Sequence, residues 1–274
     1  MARTPPGVRR DVYVKISNLG KTHRSRSGAV KALEGIDLEI GSGEFVTFVG
    51  PSGCGKSTLL MCVAGLTAPT EGRVEIQGVE VRRPFTDLGI VFQRDLLLDW
   101  RSALNNVLLA PEFRRQARRE WEARAQELLV GFGLAGHEHR YPWELSGGMR
   151  QRVAICRALI SDPPLLLMDE PFAALDALTR DELNLELERL WNETGKTVVF
   201  VTHSIQEAVF LSDRIFVMSR SPGRIVETLV VDLPRPRRLA DRETPAFAAH
   251  SARIRLTLEQ MGMLREASRG RPPR

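Results

Sequence analysis

At 274 residues with 43% hydrophobic content, the chain is long enough for one large domain, or one domain with an appendage, around a full core. No stretch approaches the roughly 18 consecutive apolar residues of a membrane-spanning helix. The basic start MARTPPGVRRDVYV lacks the apolar segment of a secretory signal, so a cytosolic location is expected. A net charge of +5 is too modest to name a partner, and Cys54, Cys62 and Cys156 form neither an even framework nor a metal-ligand spacing. They are expected to be reduced thiols, with Cys62 and Cys156 buried.

In chain order, Glu44 to Gly50 (EFVTFVG) predicts a short buried strand, followed by a helix over Thr58 to Gly65. Asp87 to Gln93 predicts a second strand, Pro164 to Asp169 a third, Thr197 to Thr202 a fourth and Arg214 to Ser219 a fifth. Continuous apolar runs of this length suit strands covered on both faces, as in a mainly parallel sheet within an α/β fold. From 94 to 160 the β-branched runs disappear. There Phe113, Ala117, Trp121, Leu128 and Leu129 recur near helical spacing, predicting a helix over Pro111 to Val130 within an inserted helical subdomain. Its arginine-rich stretch, Arg114 to Gln126, is interleaved with glutamate and reads as a solvated face. Residues 1–232 are taken as the main domain and 233–274 as a basic extension. That extension is expected to run as a surface strap at LPRPRR, become helical over Ser251 to Met263 and fray over Arg269 to Arg274.

GPSGCGKST (Gly50, Pro51, Ser52, Gly53, Cys54, Gly55, Lys56, Ser57, Thr58) stands between a predicted strand and a predicted helix, the context a phosphate-binding loop requires. Glycines let successive backbone N–H groups turn inward, and the helix adds its N-terminal donors and positive dipole end. Lys56 supplies an ammonium for the β- and γ-phosphates of a nucleoside triphosphate, and Ser57 a hydroxyl for Mg²⁺. The Cys54 thiol is expected to have no chemical role. Asp169 ends a buried strand and is placed to hold Mg²⁺; Glu170 beside it can orient and deprotonate an in-line water. Alone, such an acidic pair would read as a solvated turn; the phosphate loop upstream reverses that.

Leu145 to Arg152 (LSGGMRQR) precedes a helical run, Gln93 follows a strand, Ala174-Leu175-Asp176 follows Glu170, and His203 follows TVVFVT. In this order these segments resemble the signature, Q-loop, D-loop and H-loop of ATP-binding-cassette (ABC) ATPases, over roughly Val12 to Asp232. The resemblance implies a phosphate-binding-loop core with an antiparallel β region near the N-terminus. It implies two chains sandwiching two ATPs head to tail, with Ser146, Gly147, Gly148 and Gln151 facing the partner's nucleotide and Asp176 lining the seam. It also implies that Gln93 touches Mg²⁺ or the attacking water and that His203 contacts the γ-phosphate. His23 stands where the family has an adenine-stacking aromatic residue.

FQRDLLLDWRSALNNV, YPWELSGGMRQRVAICRAL and VTHSIQEAVFLSDRIFVMSRSPGRI resemble the nitrate, sulfonate and taurine importer ATPases, although Asp99 replaces a frequent proline. That implies separate integral-membrane permease subunits, received around Trp100 and the helical subdomain on the inner face of the membrane, and indirectly a solute-binding protein. No nucleic acid is expected. The alternatives are an importer for pyrimidine-like or other organic solutes, or a soluble ABC ATPase acting on nucleic acid or ribosomes.

Overall fold

The computed structural model describes residues 11–25 and 28–263; the expectation for Arg269 to Arg274 falls outside them. Among the described residues are two sheets. The first is antiparallel, with strand order β2-β1-β4-β5: β1 (Val12–Ser25), β2 (Gly28–Gly41), β4 (Glu71–Ile76) and β5 (Val79–Glu80). The second has the order β10-β9-β3-β8-β7-β6 and is parallel except at β10: β3 (Phe45–Val49), β6 (Leu88–Val91), β7 (Leu165–Asp169), β8 (Thr197–Thr202), β9 (Arg214–Met218) and β10 (Ile225–Val230). The expected α/β class, mainly parallel sheet and N-terminal antiparallel region are all present.

The unbroken apolar runs have a period of two once folded. On one face Phe45, Val49, Leu166, Met168, Val198, Phe200, Ile215 and Val217 join a core with residues of the helices packed on that side. On the other, Val46, Phe48, Leu165, Leu167, Val199, Val201, Phe216 and Met218 join a second core with the antiparallel sheet and the helix after β3. Successive side chains of a strand point to opposite faces, so a strand between two layers is apolar on both, with Thr47 of β3 satisfied by the Ser212 hydroxyl.

Two expectations are corrected. The helix expected over Pro111 to Val130 is two helices, α3 (Leu109–Phe113) and α4 (Arg118–Gly131), after a short α2 (Ala103–Val107). Arg115 adopts φ 55, a left-handed conformation that ends α3; Phe113 consequently leaves the apolar stripe and is 83% exposed. The LPRPRR segment is no surface strap. Arg237 is buried and donates to the carbonyls of Val209, Phe210 and Ser212. Arg235 pairs with Glu188 and Asp213 and lies 3.9 Å over the Trp191 ring. The segment closes the end of α7 (Ile205–Leu211) by satisfying its terminal carbonyls. Leu233, and Phe247, Ile254 and Leu258 from α8 (Pro245–Gln260), then enter the same core as the parallel sheet. No described helix is long and apolar enough to cross a membrane.

Candidate active site

The carboxyl ends of β3, β7 and β8, adjacent in the sheet, meet at one edge, where open α/β sheets place their ligands. β3 feeds the 50–58 loop into α1 (Lys56–Val63). Gly55 caps this helix at φ 100, and a Cβ there would lie 2.7 Å from the Ala32 carbonyl, so both conformation and space require glycine. Lys56 is buried; its ammonium donates to the carbonyls of Gly50 (2.9 Å) and Pro51 (3.0 Å) and lies 3.5 Å from Glu170 Oε1. Cys54 is buried behind the loop, and burial pushes its thiol up, as expected of an inert side chain.

Ser57 Oγ donates to Asp169 Oδ1 at 2.9 Å, joining the first turn of α1 to the end of β7. Asp169 is 6% exposed, and burial raises its carboxyl above the usual range despite the Ser57 bond and the Lys56 charge. Two hard oxygen donors held together in a desolvated position fit a divalent cation such as Mg²⁺.

Glu170 adopts φ 44, and its N–H donates to the Val201 carbonyl of β8 at 2.8 Å. A glutamate in the left-handed region costs about 1–2 kcal/mol, and such strain concentrates at functional positions. The turn brings Glu170 Oε2 to 3.0 Å from His203 Nδ1. The structure therefore gathers Lys56, Ser57, Asp169, Glu170 and His203. Gln93 is exposed just beyond β6, next to β7 in register. His23 is exposed beside the loop, its Nε2 3.5 Å from Thr58 Oγ1.

The signature residues form a separate group. Ser146 caps α5 (Gly147–Leu159) by accepting from the Met149 N–H, and it remains exposed. A Cβ on Gly148 would lie 2.6 Å from Thr179 Cγ2, so glycine lets α5 approach α6 (Ala177–Thr194). The cap of α6 is Asp176, also exposed, its carboxyl held below the usual range by the Thr179 N–H. Gln151 differs from the others: it is buried in α5, and its Nε2 has no hydrogen-bond partner.

Sequence reasoning missed Thr202, Arg180 and Glu207. Glu207 is buried, accepts from Thr202 Oγ1 and lies 3.6 Å from Arg180 Nε. The signal was the capping pattern Ser204-x-x-Glu207 directly after His203. Ser204 does cap α7 by accepting from the Glu207 N–H, but the Glu207 carboxyl turns to Thr202.

The ABC transporter family model matches residues 33–173, more than half of the chain. The chain belongs to the ABC transporter family. Over 246 residues the cassette is 48% identical to an uncharacterized ABC transporter ATP-binding protein of Methanocaldococcus jannaschii, covering 90% of this chain and 91% of that protein. It is 44% identical over 263 residues to the taurine import ATP-binding protein of Rhizobium johnstonii, covering 93% and 100%. A dimeric ATP-binding cassette solved in a post-hydrolysis state with ADP and Pi is similar at TM-score 0.72 and 38% identity, covering 80% of this chain and 98% of that one. This chain is an ATP-binding and ATP-hydrolysing cassette with the fold expected of the family.

Proposed function

We propose that this cassette drives a solute importer: two copies bind two MgATP head to tail and move separate permease subunits, with a small organic anion or zwitterion of the taurine class as cargo. The observation that carries the hydrolytic part is the convergence of Ser57–Asp169 and Glu170–His203 at the ends of adjacent strands. The Lys56 ammonium, held on two loop carbonyls, is poised to turn to the phosphates. Bound Mg²⁺ would be held by Ser57 and Asp169, with Gln93 reaching it from β6, and would neutralise charge on the β- and γ-phosphates. Glu170 orients the attacking water and accepts its proton. His203 holds that carboxylate and reaches the γ-phosphate. His23 lies against the adenine.

Exposed Ser146, Gly147 and Asp176 support closure in trans. One phosphate loop already supplies the donors for one nucleotide, and α5 offers a second N-terminal nest facing outward. The buried Gln151 acts within α5, setting its packing behind the nest, rather than on the partner's ATP.

The taurine-import relatives support the solute class, which a binding protein and the permease select. Leu96 lines a cleft of about 310 Å³ together with Phe92, Ala110, Arg114 and Arg157, and Trp100, four residues further on, is 72% exposed. An apolar face beside Gln93 suits a permease segment that must feel nucleotide closure. Placement on the inner face of the cell membrane follows from this docking.

The test is affinity capture of the tagged chain from detergent-solubilised native membranes, with mass spectrometry of the co-purifying proteins. An integral-membrane protein in near-equal amount supports the proposal. Ribosomal or DNA-repair proteins without a permease would leave an ATPase and overturn the transport role.

A further inference from the structure

The residues flanking His203 and those flanking Glu170 converge on one ion pair outside the named motifs, its Glu207 carboxylate buried and its Arg180 guanidinium half-buried. Thr202 Oγ1 donates to Glu207 Oε2 at 2.5 Å and accepts from the Ser204 N–H at 3.0 Å, so the turn holding His203 is fastened on both sides. The other Glu207 oxygen faces Arg180 Nε at 3.6 Å. Arg180 in turn donates to the carbonyl of Phe172 (3.3 Å) and to that of Leu175 (2.8 Å). Those carbonyls lie in the turn that leaves Glu170 and arrives at Asp176, the exposed cap of α6.

A second strut runs parallel. Arg242, in the 3₁₀ turn Leu239–Glu243, pairs with Asp181 of α6 at 2.5 Å, and its guanidinium lies 4.7 Å over the Phe210 ring of α7. The C-terminal extension thus clamps the two helices that begin beside the site.

A buried carboxylate is costly unless paired, and this one is satisfied only while both turns keep their positions. We infer that Arg180 and Glu207 are positioning residues that lock the His203 turn to the Glu170–Asp176 turn, so that a displacement of Asp176 at the dimer seam moves His203 relative to Glu170. The inference rests on the catalytic reading of Glu170 and His203 given above.

The test uses the full chain. Steady-state kcat and KM for MgATP, affinity for a fluorescent non-hydrolysable ATP analogue and melting temperature are measured for Glu207→Gln, Arg180→Lys and the double variant. Thr202→Val serves as an independent break should Glu207→Gln fold poorly. With kcat normalised to sites that bind the analogue, each single variant is expected to lose about 10- to 100-fold, the scale of a misplaced catalytic group. KM and analogue affinity should stay within about twofold, and the double variant should fall no further than the worse single. Normalised kcat equal to the parent in Thr202→Val and in either ion-pair variant overturns the inference. So does a loss wholly accounted for by fewer folded sites. Glu170→Gln and His203→Ala are run alongside. If they retain turnover, the catalytic reading and the inference fall together; if they abolish it while the ion-pair variants match the parent, only the inference falls.

Discussion

His203 Nδ1 lies 3.0 Å from Glu170 Oε2 although 33 residues separate them. Parallel pairing of β7 with β8 sets this distance: Asp169 is in register with Val201, and the Glu170 N–H continues the ladder to the Val201 carbonyl. His203→Ala is expected to lower kcat by about 100- to 1,000-fold, the scale for losing one preorganised stabilising group. KM for ATP should change only a few-fold, because Lys56 and the loop amides remain. Steady-state kinetics separates the two effects.

Asp169 makes the opposite case, for stability against function. Burial raises its carboxyl above the ordinary value, so folding favours the neutral form. Its contribution is full below the unfolded pKa and is lost as pH rises through the folded one, leaving a charge at neutral pH that opposes folding. Asp169→Asn keeps an acceptor for Ser57 Oγ and removes the charge. Without nucleotide or Mg²⁺ at pH 7 it should melt above the parent, yet turn over ATP at least about 100-fold more slowly. A lower melting point would contradict this balance.

His23 is the one part of the proposed nucleotide site lying outside the phosphate machinery. His23→Ala is expected to weaken ATP binding by about 10-fold, roughly the loss of one aromatic contact, with kcat at saturating ATP unchanged. Unchanged affinity in a direct titration would place the adenine platform elsewhere.

The C-terminal segment carries fold stability as well as the Arg242 strut. Arg235→Ala removes the guanidinium partner of buried Glu188 and the stack on Trp191. Breaking one partner of a buried pair costs about 3–5 kcal/mol, which urea denaturation would register as a clear fall in midpoint. A loss under about 1 kcal/mol would mean that this segment is held from outside the core.

The strands of the parallel sheet were legible because two-sided burial leaves continuous β-branched and apolar runs; Thr197 to Thr202 matches to the residue. The phosphate loop and the Asp169-Glu170 pair were legible because their chemistry needs fixed residue types at fixed spacings. What stayed hidden depends on partners distant in sequence. The break at Arg115 rests on a left-handed φ that arginine does not advertise. Arg235 and Arg237 read as surface residues because charge usually means exposure; here the Glu188 carboxylate of α6, the Asp213 carboxylate and carbonyls at the end of α7 accept from them. Glu207 stayed hidden for the same reason, since its tie to Thr202 and Arg180 exists only once β8 and α6 are packed.

The most direct measurement is the mass in solution of Glu170→Gln, by sedimentation or light scattering, with and without saturating MgATP. Head-to-tail closure over two nucleotides requires a monomer without ATP and a dimer of twice the mass with it. The dimer should be lost when Ser146, exposed at the start of α5 and proposed to meet the partner's nucleotide, is replaced by arginine. A protein that remains monomeric at saturating ATP, with binding confirmed in the same sample, would contradict the sandwich and with it the proposed route from hydrolysis to transport.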